Sequence, residues 1–161
     1  MKFDHLLQLV EKELSPIANS YHRLILLVGA SGSGKTRLLN LIHTNMNIPL
    51  INMNLELSKK MLDLTSRQRT LQIPKLLEEI VTSAQSISVA VDNCEVLFDV
   101  NLKQDPLRLF QNISRNRTII ASWNGRVDKE YLFYAEPGHP EYLRSSAQGI
   151  RIIPMQEAII S

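Results

Sequence analysis

The stretch Gly29-Ala30-Ser31-Gly32-Ser33-Gly34-Lys35-Thr36 limits what this chain can fold into more than any other. An apolar run, Leu24 to Val28, precedes it, and Leu38, Leu39 and Ile42 follow at helical spacing. That context is strand, glycine loop, helix, and the pattern G-x-x-x-x-G-K-[ST] carries meaning only there. Gly29, Gly32 and Gly34 permit positive φ and let a ligand approach the backbone. Successive N–H groups then point inward, as an anion-binding nest at a helix N-terminus. Lys35 supplies a point charge to β- and γ-phosphates, and the Thr36 hydroxyl is a ligand for Mg²⁺. All eight residues are expected to cradle a nucleoside triphosphate, with ATP and Mg²⁺ as the implied ligands.

Composition permits this and removes several alternatives. At 161 residues, 44% of them apolar, the chain is the size of one domain with a real core. The expected division is a single domain over 1–161, with an N-terminal helix in 1–20 and the core in 21–155. Eighteen basic against sixteen acidic residues leave +2, too little to argue for nucleic acid from charge. A single cysteine, Cys94, excludes an internal disulfide, and no zinc-like Cys/His spacing exists. The start lacks the pattern of a signal peptide, and no stretch is apolar for long enough to span a membrane. A cytoplasmic location is the expectation.

In order along the chain, Phe3, Leu6, Leu7, Val10 and Leu14 recur at helical spacing, and Ser15-Pro16 is expected to end that helix. His22 to Val28 is the first strand, and the helix after the loop runs to about Asn45. Ile48 to Met53 reads as a short second strand. Leu57, Met61 and Leu64 suggest a short helix, Ser66 to Thr70 an exposed connection, and Pro74 the opening of another helix. Ile87 to Asp92 is a third strand closing on a carboxylate. Asp105-Pro106 is an N-cap with proline at the first helical position, and Asn116 is placed to cap the end of that helix. Thr118 to Trp123 is a fourth strand leading into Asn124-Gly125, a pair suited to a turn. Tyr131 to Ala135 reads as half of a hairpin, Glu136 to Pro140 as a loop, and Ile150 to Ile153 as a fifth strand. The alternation implies a three-layer α/β/α fold with a mainly parallel five-stranded sheet, its ligand beyond the carboxyl ends of the strands.

Asp92 is the expected acidic partner of the phosphate loop, holding Mg²⁺ together with Thr36. Additional-strand P-loop ATPases usually place a glutamate directly after this aspartate to polarise the attacking water. Here that residue is Asn93, which takes no proton, and Glu95 can substitute only from a bent backbone. Asn124, then Ser122, are the choices for a polar group at the γ-phosphate. Arg115 and Arg117 precede the fourth strand at the end opposite the loop, and in an oligomer either could reach a neighbour's γ-phosphate as an arginine finger. His139 and Glu141 lack a third ligand and read as loop chemistry, and Cys94 as a small buried residue.

Five stretches together carry a resemblance: Leu27-Val28-Gly29 with its loop, Asp92 to Asp99, Leu102 to Leu107, Ser114 to Thr118, and Tyr134 to Tyr142. From about Tyr21 to Ile153 the chain resembles the BrxF family, small P-loop proteins of type 3 BREX (bacteriophage exclusion) systems. The resemblance implies a role in a bacterial phage-defence complex that methylates host DNA and blocks replication of unmodified phage DNA. Implied partners are a large ATPase, a methyltransferase, a phosphatase-like protein and a helicase, with DNA contacted only through the complex. The chain is expected to close after the fifth strand without the helical lid and second sensor arginine of AAA-type ATPases. The expected activity is ATP binding with slow hydrolysis and nucleotide-dependent assembly. The competing readings are a nucleotide-bound scaffold without turnover and a small-molecule kinase with Arg67 and Arg69 in its lid. Strand order separates the kinase from the others, because a kinase places the loop strand beside the Asp92 strand.

Overall fold

The computed structural model describes residues 2–134, 143–146 and 149–155. In chain order the main elements are α1 (Lys2–Ile17), β1 (Leu24–Gly29), α2 (Lys35–Met46), β2 (Leu50–Asn52), α3 (Met53–Met61) and α4 (Ser66–Thr82). They continue with β3 (Ser88–Asp92), α5 (Pro106–Ile113), β4 (Thr118–Asp128), β5 (Tyr131–Tyr134), β6 (Leu143–Ser146) and β7 (Arg151–Pro154).

β1 is buried at every residue, so it needs a covering layer on both faces. Its side chains divide accordingly. Leu24, Leu26 and Val28 pack with Met53 and Leu57 of α3, Ile73 and Leu77 of α4, and Phe110 of α5. Ile25 and Leu27 pack with Leu6 and Val10 of α1 and with Leu38, Leu39 and Ile42 of α2. The result is a three-layer α/β/α arrangement, as the alternation of elements implies.

The parallel strands run in the order β2-β3-β4-β1-β7. β4 therefore lies between the phosphate-loop strand and the Asp92 strand, in the additional-strand order, and the kinase reading is excluded. Register brings four strand ends together: Gly29 pairs with Asn124, and Asn52 with Asp92.

Several local expectations change. Ser66 to Thr70 is not a connection but the opening turns of α4. Thr65 caps this helix by accepting from the Gln68 N–H at 3.2 Å, while Gln68 Oε1 accepts from the Thr65 N–H at 2.9 Å. Such a capping box fixes a helix start where apolar spacing gives no sign of one. Pro74 consequently lies inside α4 and cannot donate to the carbonyl four residues earlier. The Gln104 side chain donates to that carbonyl, Thr70 O, at 2.8 Å instead. Similarly, Pro16 falls in the last turn of α1, which ends at Ile17. α5 starts as expected, with Asp105 accepting from the Arg108 N–H at 3.2 Å. It ends at Ile113, with Ser114 rather than Asn116 as the C-cap.

Asn124-Gly125 is not a turn. β4 continues through it to Asp128 and forms an antiparallel extension with β5 and β6. Gly125 pairs with Tyr134, and a Cβ there would collide with the Phe133 carbonyl oxygen. The glycine serves close backbone approach rather than positive φ. Aromatic contacts anchor the extension: the rings of Phe98 and Tyr134 stack with centroids 3.5 Å apart, and Trp123 Nε1 donates to Phe133 O at 3.0 Å. The expected hairpin half is thus present over 131–134, and the fifth parallel strand is β7. His139, Glu141 and the 136–140 loop lie outside the described residues.

Gly125→Ala is expected to destabilise the chain by about 1–3 kcal/mol or more, because the new methyl overpacks against fixed backbone. Denaturant melts compared with wild type check this; equal midpoints would mean that β5 shifts without cost.

Candidate functional site

The loop after β1 is shaped by glycines of two kinds. Gly32 and Gly34 have φ of 81° and 102°, which L side chains rarely adopt. Gly29 is ordinary extended backbone and is needed for space, since a Cβ there would press on Ser33 Oγ and lie 3.0 Å from Met155 Cβ. The expectation of positive φ is corrected at Gly29 alone. Gly34 is the N-cap of α2 and supplies no side-chain cap, and the first turn of α2 has no acidic residue. Its leading N–H groups are therefore left for an anion.

Lys35 is only 6% exposed. Its ammonium donates to Gly29 O at 2.8 Å, to Ala30 O at 2.7 Å and to Ser33 Oγ at 3.3 Å. Burial lowers its pKa below the usual lysine range, and the carboxylates of Asp92 and Glu95 partly oppose that. A buried ammonium folded back on carbonyl oxygens is poised for a stronger anionic partner.

Asp92 ties three elements together. Oδ2 accepts from Thr36 Oγ1 at 2.7 Å, and Oδ1 accepts from Ser122 Oγ at 2.8 Å. Thr36 and Asp92 are hard oxygen donors at the mouth of the loop and fit Mg²⁺. Among the described residues no three His, Cys, Asp or Glu side chains group as a metal cage. A cation here must complete its shell with water and phosphate oxygens, as Mg²⁺ commonly does.

Glu95 reaches the site in the way that a bent backbone allows. Asn93 has φ 55°, and this left-handed residue turns the chain into the 3₁₀ turn Glu95–Phe98. Glu95 Oε1 then accepts from Asn124 Nδ2 at 2.9 Å. Its Oε2 accepts from Asn54 Nδ2 at 3.4 Å. Asn54 is the residue that reading the sequence missed. It also donates its N–H to Asn93 O at 2.9 Å and accepts from the Val96 N–H at 3.0 Å. Its only signal was its place two residues after β2, the strand whose end lies beside Asp92. Ser122 and Asn124, the two choices for a γ-phosphate contact, are bonded here to carboxylates, Ser122 to Asp92 and Asn124 to Glu95.

Arg115 and Arg117 sit at the start of β4, remote from the loop along the strand. Arg117 is paired with Glu78 at 2.9 Å, and its side chain is 13% exposed. It also donates to Ile113 O at 3.1 Å. Arg115 is exposed, with its guanidinium 4.8 Å from the Tyr21 ring centroid. Cys94 is buried, and burial pushes its thiol well above the usual range, which removes it as a nucleophile.

No family model and no curated protein matches the chain. Solved structures similar to it include PCH-2 of C. elegans, at 19% identity over 94% of this chain and 40% of that one, with a TM-score of 0.39. Trip13 of Rhizobiales is 17% identical over 96% of this chain and 61% of that one, with a TM-score of 0.46. Drosophila ORC bound to DNA is 20% identical over 92% of this chain and 41% of that one, with a TM-score of 0.44. The chain thus spans less than two thirds of each. Its own strand order and loop make it a P-loop α/β fold of the additional-strand type.

The lowered pKa of Lys35 sets a pH signature. The unfolded chain holds this proton up to the ordinary value of 10.5, whereas the folded chain releases it earlier. Stability therefore rises with pH inside that window. Relative to Lys35→Met, ligand-free wild type is expected to gain stability as pH rises through the lowered folded value toward 10.5. Paired thermal melts check this, and a constant difference would contradict it.

Proposed function

We infer that this chain binds Mg-ATP, hydrolyses it slowly, and acts by nucleotide-dependent assembly in a bacterial phage-defence complex of the type 3 BREX kind. The nucleotide part rests on one observation: the Thr36–Asp92–Ser122 hydrogen-bond chain lies beside an uncapped helix N-terminus and a buried lysine. Hydroxyl, carboxylate, ammonium and open N–H groups converge where phosphate charge is to be held. On binding, Lys35 exchanges Gly29 O and Ala30 O for phosphate oxygens. Mg²⁺, when bound at Thr36 and Asp92, neutralises charge on the phosphates. Glu95 accepts a proton from the attacking water, and Asn124 orients that carboxylate or the γ-phosphate.

Slow turnover is supported by the same geometry. Asn93 occupies the usual position of the base, and Glu95 already accepts from two amides. Those bonds compete with any water and also support the second reading, a nucleotide-bound scaffold without turnover. Glu95→Gln separates the two: it should abolish a measurable turnover while leaving ATP affinity unchanged.

The defence role is supported by the resemblance to BrxF proteins. The proposed partners are a second copy of this chain and the other proteins of such a system, with DNA reached through them. Arg115, exposed at the far end of β4, is the better arginine finger for a neighbour's site, since Arg117 must first leave Glu78.

Lys35→Ala is expected to weaken Mg-ATP binding at least about tenfold while the folded spectrum is kept. Titration with a fluorescent ATP analogue checks it, and wild-type affinity in the variant overturns the site. In sedimentation, Mg-ATP is expected to favour larger species than ADP does, and Arg115→Ala to reduce that response without changing affinity in the monomer. Identical mass distributions with ATP, ADP and no nucleotide would remove the assembly reading. A BREX operon carrying Lys35→Ala in this chain is expected to lose phage restriction.

A further inference from the structure

The phosphate loop has two flanks with different chemistry. Toward β4 lie Asp92, Ser122, Glu95 and Asn124, all polar. Toward β7 and α1 lie Phe3, Met155 and Arg37. A Cβ placed on Gly34 would meet Phe3 Cζ at 2.8 Å and Met155 Cε at 3.7 Å, so both side chains rest against the loop itself. Met155 is fully buried, and its N–H donates to Val28 O at 2.8 Å. This thioether therefore backs the loop from within the core. Phe3 is only half-buried, in the first turn of α1. The exposed Arg37, directly after Thr36, holds its guanidinium carbon 4.5 Å from the Phe3 ring centroid.

This inference rests on the Mg-ATP reading and concerns the rest of the nucleotide. If the terminal phosphate faces Lys35 and the Thr36–Asp92 pair, the phosphate chain runs back across the first turn of α2. It leaves the loop on the flank away from the carboxylates. A half-exposed aromatic ring and a cation beside the phosphate path await it there. We propose that Phe3 is the nucleobase platform of this site. The base stacks on the Phe3 ring in place of the Arg37 guanidinium, which then turns to the α-phosphate. A guanidinium on a solvent-facing ring is held weakly, so a flat π system with an anionic tail displaces it readily. The N-terminal helix is thereby part of the ligand site and not only a cover for the sheet.

The test is calorimetry of the full chain with two ligands, Mg-ATP and Mg-tripolyphosphate, which share the phosphates and differ in the nucleoside. Phe3→Ala is expected to weaken Mg-ATP about tenfold and to leave Mg-tripolyphosphate within about twofold. Phe3→Leu keeps an apolar filling against Gly34, guards against a folding defect, and shows a smaller loss of the same selectivity. Phe3→Trp retains ATP affinity, and its added indole emission is quenched by Mg-ATP but not by Mg-tripolyphosphate. Equal loss of both ligands in Phe3→Ala and Phe3→Leu, or unchanged ATP affinity in both, overturns the platform. Wild-type chain that binds neither ligand overturns the nucleotide reading, and the platform with it.

Discussion

A carboxylate that is 7% exposed and bonded to hydroxyls on two different elements holds this site together. Asp92 takes one hydroxyl from the first turn of α2 and one from β4, and it stands at the end of β3. Removing it from water is costly unless each oxygen keeps a partner. The two hydroxyls therefore fix where the helix, and with it the phosphate loop, sits relative to the sheet. This arrangement requires β4 to lie between β1 and β3. Were β1 and β3 neighbours, Ser122 could not stand opposite Thr36 across the carboxylate. Strand order and site chemistry are the same fact seen at two scales.

The second polar assembly, around Glu95, is built on backbone strain at one residue. Asn93 adopts φ 55°, a conformation that asparagine tolerates better than most residues. It shortens the path from the end of β3 to the turn that carries Glu95. Asn54 then clamps both ends of that path, bonding the Asn93 carbonyl and the Val96 N–H. Glu95 opens the 3₁₀ turn, and its carboxylate accepts from Asn54 and Asn124. Held this way, it shares the mouth of the loop with Asp92 and Lys35.

Where a feature was local in the chain, it was legible in the sequence. The phosphate loop, the strand closing on Asp92 and the Asp105-Pro106 helix start each carry their signal in a few adjacent residues. The parallel core follows from strand and helix periods in alternation. Features that depend on distant partners were not legible. Asn124-Gly125 has turn composition, but Phe133 and Tyr134 recruit it into an extended strand. Ser66 to Thr70 lacks apolar spacing because the cap at Thr65, not burial, starts that helix. Asn54 looked like one more polar residue after a short strand, since its partners lie 41 and 42 residues away.

Pro74 and Gln104 are joined in a way that neither residue announces. The proline leaves the Thr70 carbonyl without its helical donor, and the Gln104 amide supplies one across 34 residues of chain. A replacement at 104 that cannot donate strands the carbonyl, whereas restoring an N–H at position 74 makes the glutamine dispensable there. The order of substitution thus matters. Loss of the donor at 104 costs less once 74 carries an N–H, and proline at 74 costs less where 104 already donates. Across relatives of this chain, the two positions should change as a pair, although neither touches a phosphate.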